Sequence, residues 1–192
     1  GPGGQQQGAR FRLETGDAEV IGEWSWSDNE FVGTQPYKGL IAANILMNSW
    51  DWKTNNNRIY RVKDGTQPLR RFVVRDLGAS FGATRSSRLL WVLPIPMRGF
   101  GQGTRNNIDH FESQGFIKRV DEGRVSFDFR TFYSEVVDLV RPSDVRWTAE
   151  LLNRLTDAQW DDAFRAADYS PDVRARFIRK IKAKIAEGLA VS

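Results

Sequence analysis

The spacing of apolar side chains divides the first half of the chain into segments of different expected structure. Over 11–26 apolar residues alternate with polar ones, which predicts one or two short strands. Over 39–50 they lie on nearly every side of about three helical turns, which predicts a buried helix ending at Asn48 and Ser49. Two runs rich in β-branched and aromatic residues, 58–62 and 71–75, flank an Asp-Gly turn and predict a β-hairpin.

The second half begins with a long irregular stretch and then becomes mainly helical. Serine, proline and glycine around one apolar patch predict a loop over 83–105. The later expected elements are a short helix over 106–113, a hairpin of 116–120 with 124–129, a helix capped by Ser143 and ending near Leu155, a helix opened by the capping-box residues Thr156 and Gln159, and a helix from Ser170-Pro171 to about Leu189. The predicted fold class is therefore α+β, mainly helical with short β-hairpins.

Composition places these elements in one globular domain. The chain has 192 residues, of which 40% are hydrophobic and 27% charged, so we expect a single domain over 10–192 after a disordered or tag-like Gly/Gln-rich segment, 1–9. The absence of cysteine excludes disulfides, thiolate nucleophiles and cysteine-ligated metals, and the single histidine, His110, leaves little for histidine-based metal sites. No apolar run is long enough for a membrane span or a signal peptide, so the sequence predicts a soluble chain in the cytoplasm or in a bacterial extracytoplasmic compartment.

The net charge of +4 comes from the last predicted helix. Residues 170–192 carry six basic side chains and two acidic ones, and the rest of the chain is neutral. Because this helix also has an apolar side, we expect that side to dock on the domain and the basic side to face solvent. The other interpretation is a contact for an anionic partner.

Polar residues with the chemistry of a phosphoryl-transfer site follow the buried helix and the hairpin. Asp51 comes just after the helix, Lys53 and Asn56 lie two and five residues later, and Asp76 ends the second strand. Phosphoryl transfer uses a carboxylate near the attacking hydroxyl, and a carboxamide with a second carboxylate to hold Mg²⁺ against the nucleotide phosphates. Lys53 is placed to compensate charge on the transferring group. The turn-forming preference of asparagine and of Asp-x-Gly offers a purely structural interpretation of the same residues.

These residues resemble the protein-kinase-like superfamily. The run 51–56, DWKTNN, is similar to its D-x-K-x-x-N catalytic loop, and Asp76-Leu77-Gly78 is similar to its metal-binding D-F-G element. The sequence of 71–82, RFVVRDLGASFG, is more similar to uncharacterised bacterial kinase-like proteins than to eukaryotic kinases. The resemblance implies a kinase-like C-lobe in which Asp51 and Lys53 are catalytic, Asn56, Asp76 and Gly78 bind the nucleotide cofactor, Asn56 and Asp76 hold the metal, and the cofactors are ATP and Mg²⁺.

The chain departs from the kinase pattern in several places. Ser49-Trp50 replaces the usual His-Arg before the catalytic Asp, Leu77 replaces Phe, and no A-P-E motif follows. The Gly-rich strand-turn-strand and the Lys–Glu pair of a kinase N-lobe have no counterpart before Asp51. We therefore expect either that the N-lobe lies upstream of this chain or that the chain is not a complete kinase.

The resemblance leaves the reaction itself open. The expected partners are a nucleotide and an unknown acceptor, which is a protein, small-molecule or lipid hydroxyl, whereas nucleic acid is not expected. Nucleotidyl transfer from the same residues is a further reading. The alternative function is a non-catalytic pseudokinase or α+β binding module that uses the basic C-terminal helix.

Overall fold

A computed structural model of the chain describes residues 18–64, 67–84 and 103–192. Within these ranges the elements are, in chain order, β1 Ala18–Gly22, α1 Gln35–Leu46, a 3₁₀ turn Thr54–Asn56, β2 Asn57–Asp64, β3 Gln67–Val74, α2 Ile108–Ser113, β4 Ile117–Asp121, β5 Arg124–Phe127, α3 Ser134–Val137, α4 Pro142–Leu152, α5 Asp157–Ala166 and α6 Pro171–Ala190. The predicted α+β class is confirmed, with six helices and two small antiparallel sheets in the described part of the chain.

The larger sheet has the strand order β1-β2-β3, with both pairs antiparallel. The β2–β3 hairpin is the one predicted from the sequence, and its rungs run from Asn57 opposite Val74 to Asp64 opposite Gln67. The second predicted hairpin is the β4–β5 sheet. Part of the predicted 11–26 strand region is β1, whereas residues 11–17 lie outside the described residues. The predicted N-terminal segment 1–9 also lies outside them, as does the 85–102 part of the predicted loop.

The helices pack around α6, which contacts α1, α2, α4 and α5. The apolar side of α6 supplies Phe177, Ile181 and Ile185 to the core, where each is at most 3% exposed. The buried helix α1 also contacts α4 and α3, which closes the core on its other side. None of the described helices combines the length and the apolar character that crossing a bilayer would need.

Several predicted boundaries and caps differ from the structure. The buried helix begins at Gln35 rather than at 39, because Pro36 fits its first turn, and it ends at Leu46 rather than at Asn48. Ser143 does not cap α4: the helix starts at Pro142, so Arg141 is the N-cap residue and Ser143 lies inside the first turn. Thr156 caps α5 with the predicted capping box, and α6 starts at the predicted Pro171.

Candidate functional site

The candidate loop begins where α1 ends in a tight turn. Asn48 adopts a left-handed backbone with φ 52°, and the Ser49 amide donates to the Asn44 carbonyl at 2.8 Å. These contacts satisfy carbonyls that a helix C-terminus leaves without partners, and they redirect the chain toward Asp51.

Two tryptophans anchor the loop on either side of Asp51. Trp52 is 3% exposed, stacks on Trp26 with 4.9 Å between ring centroids, and donates its indole N–H to the Ser49 carbonyl. Trp50 donates its indole N–H to the Thr104 carbonyl at 3.1 Å. The indoles are therefore structural anchors, and the Asp51 side chain between them stays partly open to solvent at 19% exposure.

The loop brings Asp51, Lys53 and Asn56 together. The Lys53 ammonium lies 3.1 Å from one oxygen of Asp51 and 3.2 Å from the other. The 3₁₀ turn folds the chain back, so that the side-chain nitrogen Nδ2 of Asn56 donates to the backbone carbonyl of Asp51 at 3.2 Å. Since the amide nitrogen of Asn56 is used in this way, its Oδ1 is the atom with acceptor capacity for a metal ion.

The β2–β3 hairpin places Asp76 directly beside this loop. The last rung pairs Asn57 with Val74, and one residue further the Arg75 amide donates to the Asn56 carbonyl at 3.0 Å. A second link joins the Trp50 amide to the Ala79 carbonyl at 3.2 Å. The structure thus brings the two predicted motifs side by side, with Asp76 next to the residue that bonds Asn56.

Backbone strain in this segment falls on Asp76 and Phe81 rather than on the glycines. Gly78 and Gly82 do not adopt the left-handed conformation; the left-handed residues are Asp76, with φ 54°, and Phe81, with φ 58°. Gly82 is instead required by close approach: a Cβ there would lie 2.2 Å from the Thr104 carbonyl oxygen. Gly78 is exposed and has room for a Cβ, whose nearest neighbour would be an Asp76 oxygen at 3.4 Å.

Segment 80–84 pairs with 103–107, which fixes it behind the candidate loop. The Thr104 amide donates to the Ala83 carbonyl at 2.7 Å, and the Asn107 amide donates to the Phe81 carbonyl at 2.8 Å. The Phe81 ring packs against Phe111 and Phe177 at 5.7 and 5.4 Å. The Asp76 turn is therefore carried by a segment with strong contacts to the core.

Two grooves lie near these elements. One, of about 370 Å³, includes Thr54 of the candidate loop and is also lined by Glu23, Trp24, Glu30, Ile59 and Phe72. The other, of about 640 Å³, is lined among others by Lys118, Arg119, Phe127, Phe129, Arg130 and Thr131. Neither lining includes Asp51, Asn56 or Asp76.

The donor set at the candidate site fits a hard cation only in part. No group of three or more His, Asp or Glu side chains within the described ranges is arranged to hold a metal by itself. As oxygen ligands, Asn56 has a side-chain amide oxygen and Asp76 has a carboxylate. Mg²⁺ prefers oxygen ligands of these two kinds and takes its remaining ones from water and phosphates, so the chemistry of the two side chains is compatible with Mg²⁺ that arrives with a nucleotide.

The basic residues of α6 have partners within the chain. Arg176 lies 2.6 Å from Asp109 and 2.5 Å from Glu112 of α2, Arg174 lies 2.8 Å from Asp161 of α5, and Lys182 pairs with Asp157. The Arg176 guanidinium, through its hydrogen bond, holds the pKa of Glu112 below its usual range. This side of α6 therefore joins helices to one another, which leaves less unpaired charge for an anionic partner.

Lys184 is the functional candidate that the sequence reasoning missed. It was expected on the solvent side of α6, but it is 1% exposed and donates to the Leu46 carbonyl and to Asn48 Oδ1. The helical spacing indicates that Lys184 lies on the buried face of α6, since Phe177, Ile181, Lys184 and Gly188 follow one another at four, three and four residues.

Comparisons of the chain with family models, with curated proteins and with solved structures find no match.

Proposed function

We propose that this chain is the C-lobe of a divergent kinase-like phosphotransferase, which transfers a phosphoryl group from Mg–ATP to a hydroxyl acceptor. The observation that carries the proposal is the backbone bond from Arg75 to the Asn56 carbonyl at 3.0 Å. It joins the backbone of Asn56 to the residue before Asp76, so the two residues that the resemblance assigns to Mg²⁺ belong to neighbouring segments.

Each residue has a role that its contacts support. Asp51 is the general base, since its carboxylate is partly solvent-exposed at 19% and is within reach of an incoming hydroxyl. Lys53, whose side chain is 63% exposed, compensates the charge of Asp51 and of the group in transfer. Asn56 and Asp76 would hold Mg²⁺, and Gly78, which has no side chain, leaves space for the nucleotide phosphates.

When bound, Mg²⁺ supplies neutralisation of charge on the nucleotide phosphates. The protein's own contribution is to fix oxygen ligands and base on two loops that are bonded to each other. The exposed surface around Asp76 is the one that a nucleotide-binding N-lobe would cover. Exclusion of water would then come from that second lobe.

The test measures Mg²⁺-dependent ATP binding and phosphoryl transfer by the protein as encoded in full. Asp76→Asn is the appropriate variant, because asparagine tolerates the left-handed backbone that Asp76 adopts with φ 54° and removes only the charge. We expect it to weaken Mg–ATP binding at least about tenfold. Asp51→Asn should keep binding and lower transfer by about 10²- to 10⁴-fold.

Asp121→Asn serves as the matched control, because Asp121 is an exposed acid at the β4–β5 turn, remote in the chain from both motifs. It should leave binding and transfer unchanged. Absence of Mg²⁺-dependent nucleotide binding, or wild-type binding by Asp76→Asn, would overturn the proposal. Binding without transfer in the unmodified protein would identify a pseudokinase instead.

A further inference from the structure

Lys184 is a buried amine with two oxygen acceptors and one aromatic ring as partners. Its ammonium donates to the Leu46 carbonyl at 3.0 Å and to Asn48 Oδ1 at 2.9 Å, and it lies 4.5 Å from the centroid of the Phe111 ring. Burial of a charge is costly unless such contacts compensate it. A methionine would fill the same space without that cost, so the lysine is explained by its polar contacts.

The first of these contacts completes the end of α1. The carbonyls of Ala43, Asn44 and Ile45 accept from backbone amides of the turn that follows. The carbonyl of Leu46 accepts from Lys184 instead. Lys184 therefore acts as a C-terminal cap supplied by another helix, at the end where a helix dipole favours a cation.

The second contact reaches both candidate motifs through Asn48. The Asn48 side chain accepts from Lys184 with its oxygen and donates from its nitrogen to the Gly82 carbonyl at 2.6 Å. Asn48 leads into the loop of Asp51, and Gly82 ends the segment that begins at Asp76. One continuous set of hydrogen bonds thus runs from α6 to Asn48 and Gly82, the residues that border the two motif segments.

We propose that Lys184 is a positioning residue, which through Asn48 sets the Asp51 loop and the Asp76 segment at a fixed separation. What the two segments do rests on the proposed function, but their placement by Lys184 is a property of the fold. The sequence separation of 136 residues between Lys184 and Asn48 shows that this placement depends on the docking of α6. The integrity of α6 is therefore coupled to the site.

The test is amide hydrogen exchange, which needs no activity. Two amides report on the junction: that of Trp50, which donates to Ala79, and that of Phe81, which donates to Met47. The Asp128 amide, which donates to Phe116, reports on the second hairpin. In Lys184→Met we expect exchange of the two junction amides to rise about tenfold or more relative to the Asp128 amide, since two hydrogen bonds of a charged group are lost.

Two further variants control this experiment. Lys180→Met removes another α6 lysine, one that donates to the Glu112 carbonyl, and it should leave the junction amides unchanged. Asn48→Gly keeps the left-handed backbone, with φ 52° in the native chain, and removes the bridging amide, so it should loosen the same two amides even if Lys184→Met does not fold. An equal rise at all protected amides, or no rise at Trp50 and Phe81, would overturn the positioning role. Because nucleotide binding is measured separately, either proposal can fail while the other stands.

Discussion

Three residues with left-handed backbone surround the candidate site: Asn48, Asp76 and Phe81, with φ of 52°, 54° and 58°. Asparagine and aspartate adopt this conformation at small cost, whereas a bulky phenylalanine is an outlier. Phe81 is held there by its amide bond to Met47 and by aromatic contacts with Phe111 and Phe177. Strain of about 1–3 kcal/mol at such a residue persists where the surroundings over-determine it, and it is common at functional sites.

The two glycines of the Asp76 segment should respond differently to alanine. In Gly82→Ala the new Cβ would meet the Thr104 carbonyl oxygen at 2.2 Å, and backbone atoms cannot move aside cheaply. We expect a loss of about 1–3 kcal/mol in the free energy of unfolding measured with urea. In Gly78→Ala the nearest atom is 3.4 Å away and the expected change is within about 0.5 kcal/mol. Equal losses in the two variants would contradict this account.

Gly78→Ala has a second use, because Gly78 is assigned to the nucleotide. If the variant is as stable as the wild type and binds Mg–ATP more weakly, the loss comes from the site and not from the fold. Unchanged binding would show that Gly78 has no contact with the cofactor.

Among the elements, the helix N-caps include one that the sequence predicted correctly, at Thr156, and one that it predicted wrongly, at Ser143. The Thr156 side chain accepts from the Gln159 amide at 3.3 Å, and the Gln159 side chain accepts from the Thr156 amide at 2.8 Å. Ser143 lies in the first turn of α4 instead, because proline disfavours helical backbone in the residue before it and so makes Arg141 the cap. Ser170 is at the cap position of α6 but makes no side-chain cap bond.

Alanine substitution at these three positions tests the caps. Thr156→Ala should cost about 1 kcal/mol in the free energy of unfolding, since it leaves a first-turn amide of α5 without its acceptor. Ser143→Ala and Ser170→Ala should each change it by less than about 0.5 kcal/mol, because neither removes a cap bond. Urea unfolding of the three variants under one set of conditions is the measurement. A larger loss at Ser143 than at Thr156 would show that the assigned start of α4 is wrong.

The hairpins and long helices were predictable because their signals are local. The β2–β3 hairpin carries β-branched runs around an Asp-Gly turn, and α5 carries a capping box. The four-residue α3 and the 3₁₀ turn at Thr54–Asn56 were not predicted, since elements this short depend on contacts with the rest of the fold.

For the candidate site, spacing predicted Asp51, Lys53, Asn56 and Asp76, but it could not show that the 51–56 loop would lie beside the residue that precedes Asp76. This placement depends on the register of β2 with β3. A shift of one residue would turn the side chains of the strand to the opposite face of the sheet. The role of Lys184 depends on tertiary docking, for which a basic residue on a helix gives no local signal beyond its periodicity.

Across the domain as a unit, the charges of α6 are distributed between two environments. Arg174, Arg176 and Lys182 pair with acids of neighbouring helices, whereas Lys184 is enclosed by the core with uncharged oxygens. Burial lowers the pKa of Lys184 to about 7, and among nearby charges Lys180 lowers it further while Glu187 and Asp128 raise it.

This pKa makes the stability of the domain depend on pH in a specific window. Above about pH 7 the folded state has lost the Lys184 proton, while the unfolded state keeps it up to the ordinary value of 10.5. Unfolding therefore takes up a proton in this range, so the free energy of unfolding should rise with pH, by at most about 1.4 kcal/mol per pH unit. Below pH 7 both states carry the proton and the contribution is constant.

The measurement is urea unfolding of wild type and Lys184→Met from pH 7 to about pH 9, where tyrosine ionisation in the unfolded chain is still small. The upper limit matters because burial raises the pKa of Tyr37 and Tyr169, which lowers stability as pH rises through 10. The rise with pH should be present in wild type and in Lys180→Met and should be absent in Lys184→Met. If wild type and Lys184→Met have the same slope, Lys184 keeps its proton in the folded state, and its oxygen and ring contacts compensate its burial completely.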